Sequence, residues 1–250
     1  MTDEPLIRYE ILSGVAWIRM NRPRVRNALD ATMRAGLIEA LRRAGGDGPV
    51  RVVVLAGEGP AFCAGNDLRE LASPEDGYER IGEEYATLLR AIRGLGKPTI
   101  AALHGPTVGI AVPIVAACDL RYAAEGATLR VPFAELGLTV EGGASQTLPR
   151  LVGRGRALEL FLTGRPLGAE EAERWGLVNG VVPEDQLESR VAEIAGRLAQ
   201  AAPGAVAAIK RAVNHAEGHD FDEVLEFEFG LQGERLRSAD FAERIRRAAG

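Results

Sequence analysis

The stretch Phe62-Cys63-Ala64-Gly65-Asn66-Asp67-Leu68 decides how the rest of the chain is read. It follows a continuous apolar run, Val52 to Leu55, flanked by Arg51 and Gly57. That run is short enough for a strand buried on both faces. The small residues after it let a ligand approach the main chain, and their amides follow in a row. A second stretch of the same kind, His104-Gly105-Pro106-Thr107-Val108-Gly109-Ile110-Ala111, follows the apolar run Thr99 to Leu103 and leads into a helix-like segment. A helix start offers unpaired N–H groups and the positive end of the dipole. Two such amides converging on one point would hold an oxyanion. Two ordinary strand-to-helix turns would have the same composition.

Outward from these loops, the N-terminal third alternates strand and helix. Leu6 to Leu12 and Val15 to Met20, separated by Ser13-Gly14, predict a hairpin. Asp30 has the chemistry of an N-cap, and Met33, Leu37, Leu41 and Ala44 behind it give one apolar helix face ended by Gly45-Gly46. Ser73-Pro74-Glu75-Asp76 reads as a helix start, followed by the amphipathic stripe Tyr78, Ile81, Tyr85, Leu88 and Ile92. Leu120 to Ala123 and Thr128 to Val131 are strand candidates. Helices are expected over 142–148, 154–162, 169–175, 185–201, 203–215 and 221–236. The order predicts a sheet with helical cover and a helical tail.

The 250 residues suit one large α/β domain, and the net charge of -5 gives nonspecific nucleic-acid binding no support. The longest apolar stretch, Val108 to Cys118, is far shorter than a bilayer span and contains Pro113, so no membrane partner is expected. Two cysteines, Cys63 and Cys118, without a C-x-x-C, and an N-terminus without a signal-like apolar core point to a reducing cytosol. No phosphate loop, dinucleotide fingerprint or nucleophile elbow occurs. His215 and His219 are spaced as metal ligands could be, but Gly218 weakens the helix there, and a solvated helix end is the simpler reading. No metal is expected. What remains is the two glycine-containing loops and some carboxylates.

These residues together resemble the crotonase (enoyl-CoA hydratase/isomerase) superfamily. Phe62 to Leu68 resembles its oxyanion loop. His104 to Ala111, with Ala117-Cys118-Asp119-Leu120, resembles its second oxyanion segment. The likeness extends through Pro132 to Arg150, Leu167 to Val182 and Ala208-Ile209-Lys210, covering about residues 5 to 220. It implies a ββα spiral core over 1–195 and a helical trimerisation region over 196–250, assembled as a homotrimer or hexamer. It implies a bent acyl-CoA ligand, with coenzyme A part of the substrate and no separate cofactor. By the same resemblance the oxyanion donors fall on the amides of Asn66 and Ile110, beside Gly109. Ala64, Gly65, Asn66, Asp67 and Leu68 would line the thioester and pantetheine, and Arg24 and Ala28 the nucleotide end.

The departures narrow the reaction. The two glutamates with which hydratases activate water match Pro113 and Phe133, neither of which can move a proton. Phe133 is left as an acyl-contacting residue. Glu141, in Leu136-Gly137-Leu138-Thr139-Val140-Glu141-Gly142-Gly143, resembles the single catalytic glutamate of Δ3,Δ2-enoyl-CoA isomerases. A ring-isomerase branch acting on epoxyphenylacetyl-CoA carries an aspartate there. Without the resemblance, Glu141 is equally a cap or first-turn acid of the helix at 142–148. Glu135 reads as a salt-bridge acid. The expectation is a Δ3,Δ2-enoyl-CoA isomerase. A hydratase, a ring isomerase of the same fold, or a degraded acyl-CoA-binding paralogue stand as alternatives.

Overall fold

The computed structural model describes residues 4–72 and 77–249. A six-stranded sheet is built from β1 (Ile7–Leu12), β2 (Val15–Met20), β3 (Val52–Gly57), β4 (Thr99–Leu103), β6 (Leu120–Ala124) and β9 (Gly180–Val182), in the order β1-β2-β3-β4-β6-β9. Only the β1–β2 hairpin is antiparallel; Val15 pairs with Val52 and Ile100 with Leu120 in parallel register. A second sheet holds β5 (Pro106–Val108), β7 (Thr128–Arg130) and β8 (Leu167–Gly168) in the order β5-β7-β8.

The period of two sorts each central strand between two cores. Ala16, Ile18, Val53 and Leu55 face the main core, while Val15, Trp17, Val52, Val54 and Ala56 face a second one. That is why β3 reads as an unbroken apolar run. The second face is covered by α8 (Leu187–Ala199) through Leu187, Val191, Ile194 and Ala195. The main core lies under α1 (Ala31–Gly46) and α3 (Gly77–Gly94). Asp30 caps α1 as its sequence implies, accepting from Met33 N–H at 2.9 Å.

The expected mixed α/β core with a helical C-terminal region is what the structure has. The division drawn at 195/196 falls inside α8, which packs on the sheet. Beyond it come α9 (Pro203–Ala216), α10 (Phe221–Leu236) and α11 (Ala239–Ala249). The sequence reading lacked β5, β8, β9, α11 and the short α2 (Leu68–Leu71); strands of two or three residues carry too few side chains for a period to show. α4 (Ala111–Ala116) is the expected buried helix. Its Pro113 sits in the first turn, where the missing N–H has no intrahelical acceptor to lose. α5 (Ala144–Val152) starts two residues later than expected and runs through Pro149; α6 (Arg154–Thr163) and α7 (Ala169–Arg174) follow. The helix start at Ser73-Pro74-Glu75-Asp76 lies outside the described residues. Among the described residues, no helix is long and apolar enough to cross a membrane.

Candidate active site

The two loops lie side by side. Phe62 N–H donates to His104 O at 2.9 Å, Cys63 N–H to Pro106 O at 3.2 Å, and Val108 N–H to Cys63 O at 2.9 Å. The approach is tight at Gly65 (φ +88°), where a Cβ would stand 2.6 Å from Val108 O. Only glycine fits both that backbone angle and that gap. The segment before α1 braces the first loop from the other side. Ala64 N–H donates to Arg26 O at 2.8 Å, and Asp67 N–H to Leu29 O at 3.0 Å. The fully buried Asn27 amide donates to Glu58 O, Ala61 O and Phe62 O.

Gly65 N–H meets the Cys63 sulfur at 3.4 Å, so from Phe62 to Asp67 every amide except that of Asn66 has an acceptor among the described residues. In the second loop Val108 N–H and Gly109 N–H are taken by Cys63 O and Arg130 O, while Ile110 N–H donates to none of them. The two unused amides therefore fall at corresponding places on two touching loops.

Glu141 reaches the same place from a third segment. Gly142 (φ +61°) packs so closely that a Cβ would stand 2.7 Å from Ile110 Cδ1 and 2.9 Å from Pro113 Cβ. The preceding carboxylate is thereby set beside the second loop. It caps no helix, because the N-cap of α5 is Gly143. Its Oε1 faces Asn66 Nδ2 at 3.5 Å, and its Oε2 accepts a hydrogen bond from the Tyr78 hydroxyl. Burial pushes the Glu141 carboxyl above its ordinary value, and the Tyr78 hydrogen bond opposes that rise. Asp67 is held down to about 2, first by its hydrogen bond from Arg69. Its second oxygen also faces Arg22, at 3.3 Å, which pins the end of the first loop.

A cavity of about 730 Å³ opens over these groups. Leu68, Leu71, Ile81, Leu136, Leu138 and Val140 give it apolar walls, and Asn66, Glu70, Tyr78, Arg80, Thr139 and Glu141 supply its polar lining. The structure thus brings Asn66, Leu68 and Glu141 together at one cavity, with Ala64, Gly65, Asp67, Gly109 and Ile110 in the loops beneath. It does not bring Phe133 there: that ring is buried in the main core, and it does not line the cavity. Arg24 is exposed on the turn Pro23–Val25, and Ala28 is buried with its carbonyl held by Arg22 at 2.6 Å; both lie outside the cavity. Glu135 pairs with Arg130 at 2.6 Å. His215 and His219 stack on each other at 3.6 Å. No group of three or more His, Cys, Asp or Glu among the described residues is arranged to hold a metal. Sequence reasoning missed Tyr78, because a tyrosine at a stripe position looks like core, and it missed the Asn66 side chain behind the interest in its amide.

The family model described as enoyl-CoA hydratase/isomerase matches residues 10–247. A probable enoyl-CoA hydratase of Rhodobacter capsulatus is 40% identical, over 96% of this chain and 93% of its own. The 1,2-epoxyphenylacetyl-CoA isomerase of Escherichia coli is 34% identical, over 93% and 90%. Among solved structures, an enoyl-CoA hydratase from Bacillus anthracis superposes with a TM-score of 0.93 at 34% identity, over 97% and 95%. The chain belongs to the enoyl-CoA hydratase/isomerase family of the crotonase superfamily, whose work is on acyl-CoA thioesters.

Proposed function

We propose that this enzyme is a Δ3,Δ2-enoyl-CoA isomerase that moves a double bond with one carboxylate. The observation that carries the reading is Glu141: it is the acid that faces both Asn66 and Tyr78 in the cavity, while the sequence positions that match the water-activating pair of hydratases hold Pro113 and Phe133, neither of which can move a proton. In this reading Glu141 takes a proton from C2 of a 3-enoyl-CoA. Charge moves to the thioester oxygen, where the amides of Asn66 and Ile110 receive it, each worth about 3 kcal/mol in the transition state. Protonated Glu141 returns the proton to C4, giving the conjugated 2-enoyl-CoA. A carboxyl raised by burial suits both halves, since it is a stronger base when ionised and survives as an acid near neutral pH.

Arg24 and Ala28 would contact the nucleotide end of coenzyme A, and Ala64 to Leu68 the thioester and pantetheine. No resident cofactor enters the reaction. The reading includes a reducing cytosol, consistent with free, buried Cys63 and Cys118. It also includes assembly as a homotrimer or hexamer. Ile209, Val213, Phe229 and Leu236 are exposed on α9 and α10, and copies of the chain would cover them. The similarity to a ring isomerase along nearly the whole chain favours one second reading, isomerisation of an epoxide-bearing acyl-CoA by the same site. Assays on 3-hexenoyl-CoA, crotonyl-CoA and an epoxyphenylacetyl-CoA separate the cases. The proposal expects turnover of the first far above hydration of the second; fast hydration with no isomerisation contradicts it.

A further inference from the structure

We propose that Tyr78 is a positioning residue for Glu141: its hydroxyl holds one carboxylate oxygen while the Asn66 amide faces the other, so the carboxylate is fixed in plane and kept in its ionised, base-competent form. This rests on the reading of Glu141 as the base.

The first observation is that Tyr78 has left the role its sequence position gives it. Ile81, Tyr85, Leu88 and Ile92 of the same stripe are all buried, whereas Tyr78 is 53% exposed and lines the cavity. A stripe tyrosine kept out of the core, with its hydroxyl on a half-buried carboxylate, is placed for that contact rather than for packing.

The second observation is that the other donor is aimed from behind. The Tyr85 hydroxyl donates to Asn66 Oδ1, which turns Asn66 Nδ2 toward Glu141 Oε1. The Tyr85 ring lies 5.2 Å from the guanidinium of Arg34, and Arg34 is itself fully buried between Glu70 and Glu84. Each oxygen of Glu141 thus has its own donor, one from the start of α3 and one backed by a buried ion network. Two donors on two oxygens restrict rotation about the terminal bond, which positions a base for two carbons on one face.

The charged groups around Glu141 leave the hydroxyl a large share of control. Glu70 of α2 and Arg80 of α3 line the same cavity, and they pair with each other at 3.7 Å. α4 contributes none, being wholly apolar from Ala111 to Ala116. Glu135 is engaged by Arg130. Burial raises Glu141 and the Tyr78 hydrogen bond opposes it. Tyr78 is pushed up by burial and then by Glu141, so it remains a donor throughout the working range. Removing the hydroxyl therefore leaves burial less opposed, and Glu141 ionises only at higher pH.

The experiment is a carbon-13 NMR titration of full-length protein carrying carboxyl-labelled glutamate, with Glu141→Gln used to assign the resonance. In Tyr78→Phe the Glu141 midpoint should rise by about one unit, and the acid limb of kcat on 3-hexenoyl-CoA should move with it, while KM changes little. Tyr78→Leu, which removes the ring as well, should raise the midpoint in the same direction. An unmoved midpoint in both folded variants overturns the proposal. A midpoint that rises while isomerisation keeps its pH profile upholds the positioning of Glu141 and removes Glu141 as the base, so the two claims fail separately.

Discussion

Glu141 shows how the role proposed for one position depends on its neighbours. By itself it is an acid before a helix, and its sequence fits a cap equally well. What changes its chemistry is Gly142, whose left-handed backbone lets the chain press against Ile110 and Pro113 and turns the carboxylate into the cavity. Gly142→Ala would force a Cβ into Ile110 Cδ1 and strain φ, so the segment must shift. A displacement of about 1 Å at a base costs on the order of 100-fold in rate, and steady-state assays should show that loss in kcat, accompanied by a lower melting temperature from the strained backbone. Asp67 acts on the loop below. Its carboxyl is held at about 2, below its ordinary value of 3.8, so it stabilises the fold fully above pH 4 and progressively less as pH falls toward 2. Asp67→Asn should cost about 1–2 kcal/mol at neutral pH. Urea unfolding should show the gap between wild type and variant closing through that acid window.

Among the elements, α1, α2 and α3 are joined by one buried cation. Arg34 of α1 bonds Glu70 of α2 at 2.7 Å and Glu84 of α3 at 2.6 Å, with no exposure of its own. A buried ion pair is a poor source of net stability, but breaking it strands charge. Arg34→Met should therefore lower stability by roughly 3–5 kcal/mol, visible in the denaturation midpoint. Of these helices, α1 and α3 were readable and the four-residue α2 was not. Asp30 and the Met33-Leu37-Leu41-Ala44 face define α1, and alternation defines the β1–β2 hairpin. Arg34 was not readable, because a charged residue inside a helix gives no sign of which acids from distant segments will meet it. Tyr78 was misread for a related reason: periodicity reports which side of a helix a residue is on, and cannot say that the first turn of the stripe overhangs a cavity. The short strands β5, β8 and β9 escaped because their pairing is set by distant chain.

At the scale of the molecule, sequence and structure agree on architecture because every central strand must hide both faces. β3 is apolar throughout, and the structure supplies α1 and α3 on one side and α8 on the other. The site was legible as three separate signals, two loops and one acid, but their meeting was not. Convergence depends on the parallel bridge between Cys63 and Thr107 and on the close approaches at Gly65 and Gly142. Phe133 shows the limit of matching by position, since its ring turns into the core although its place in the chain suggested contact with substrate. The exposed apolar side chains of α9 and α10 belong to this scale too. Sedimentation of the full chain should give the mass of a trimer or hexamer, and a monomer at micromolar concentration would speak against that assembly.

The proposed reaction needs a single carboxylate, Glu141, to carry a proton between two carbons while two backbone amides hold the enolate. The most direct measurement is turnover of 3-hexenoyl-CoA by Glu141→Gln, with acyl-CoA affinity measured on the same preparation by calorimetry. Glutamine preserves shape and removes only the proton transfer, so isomerisation should fall by about 1,000-fold or more while affinity stays within a few-fold of wild type. Isomerisation at the wild-type rate in that variant would contradict the account.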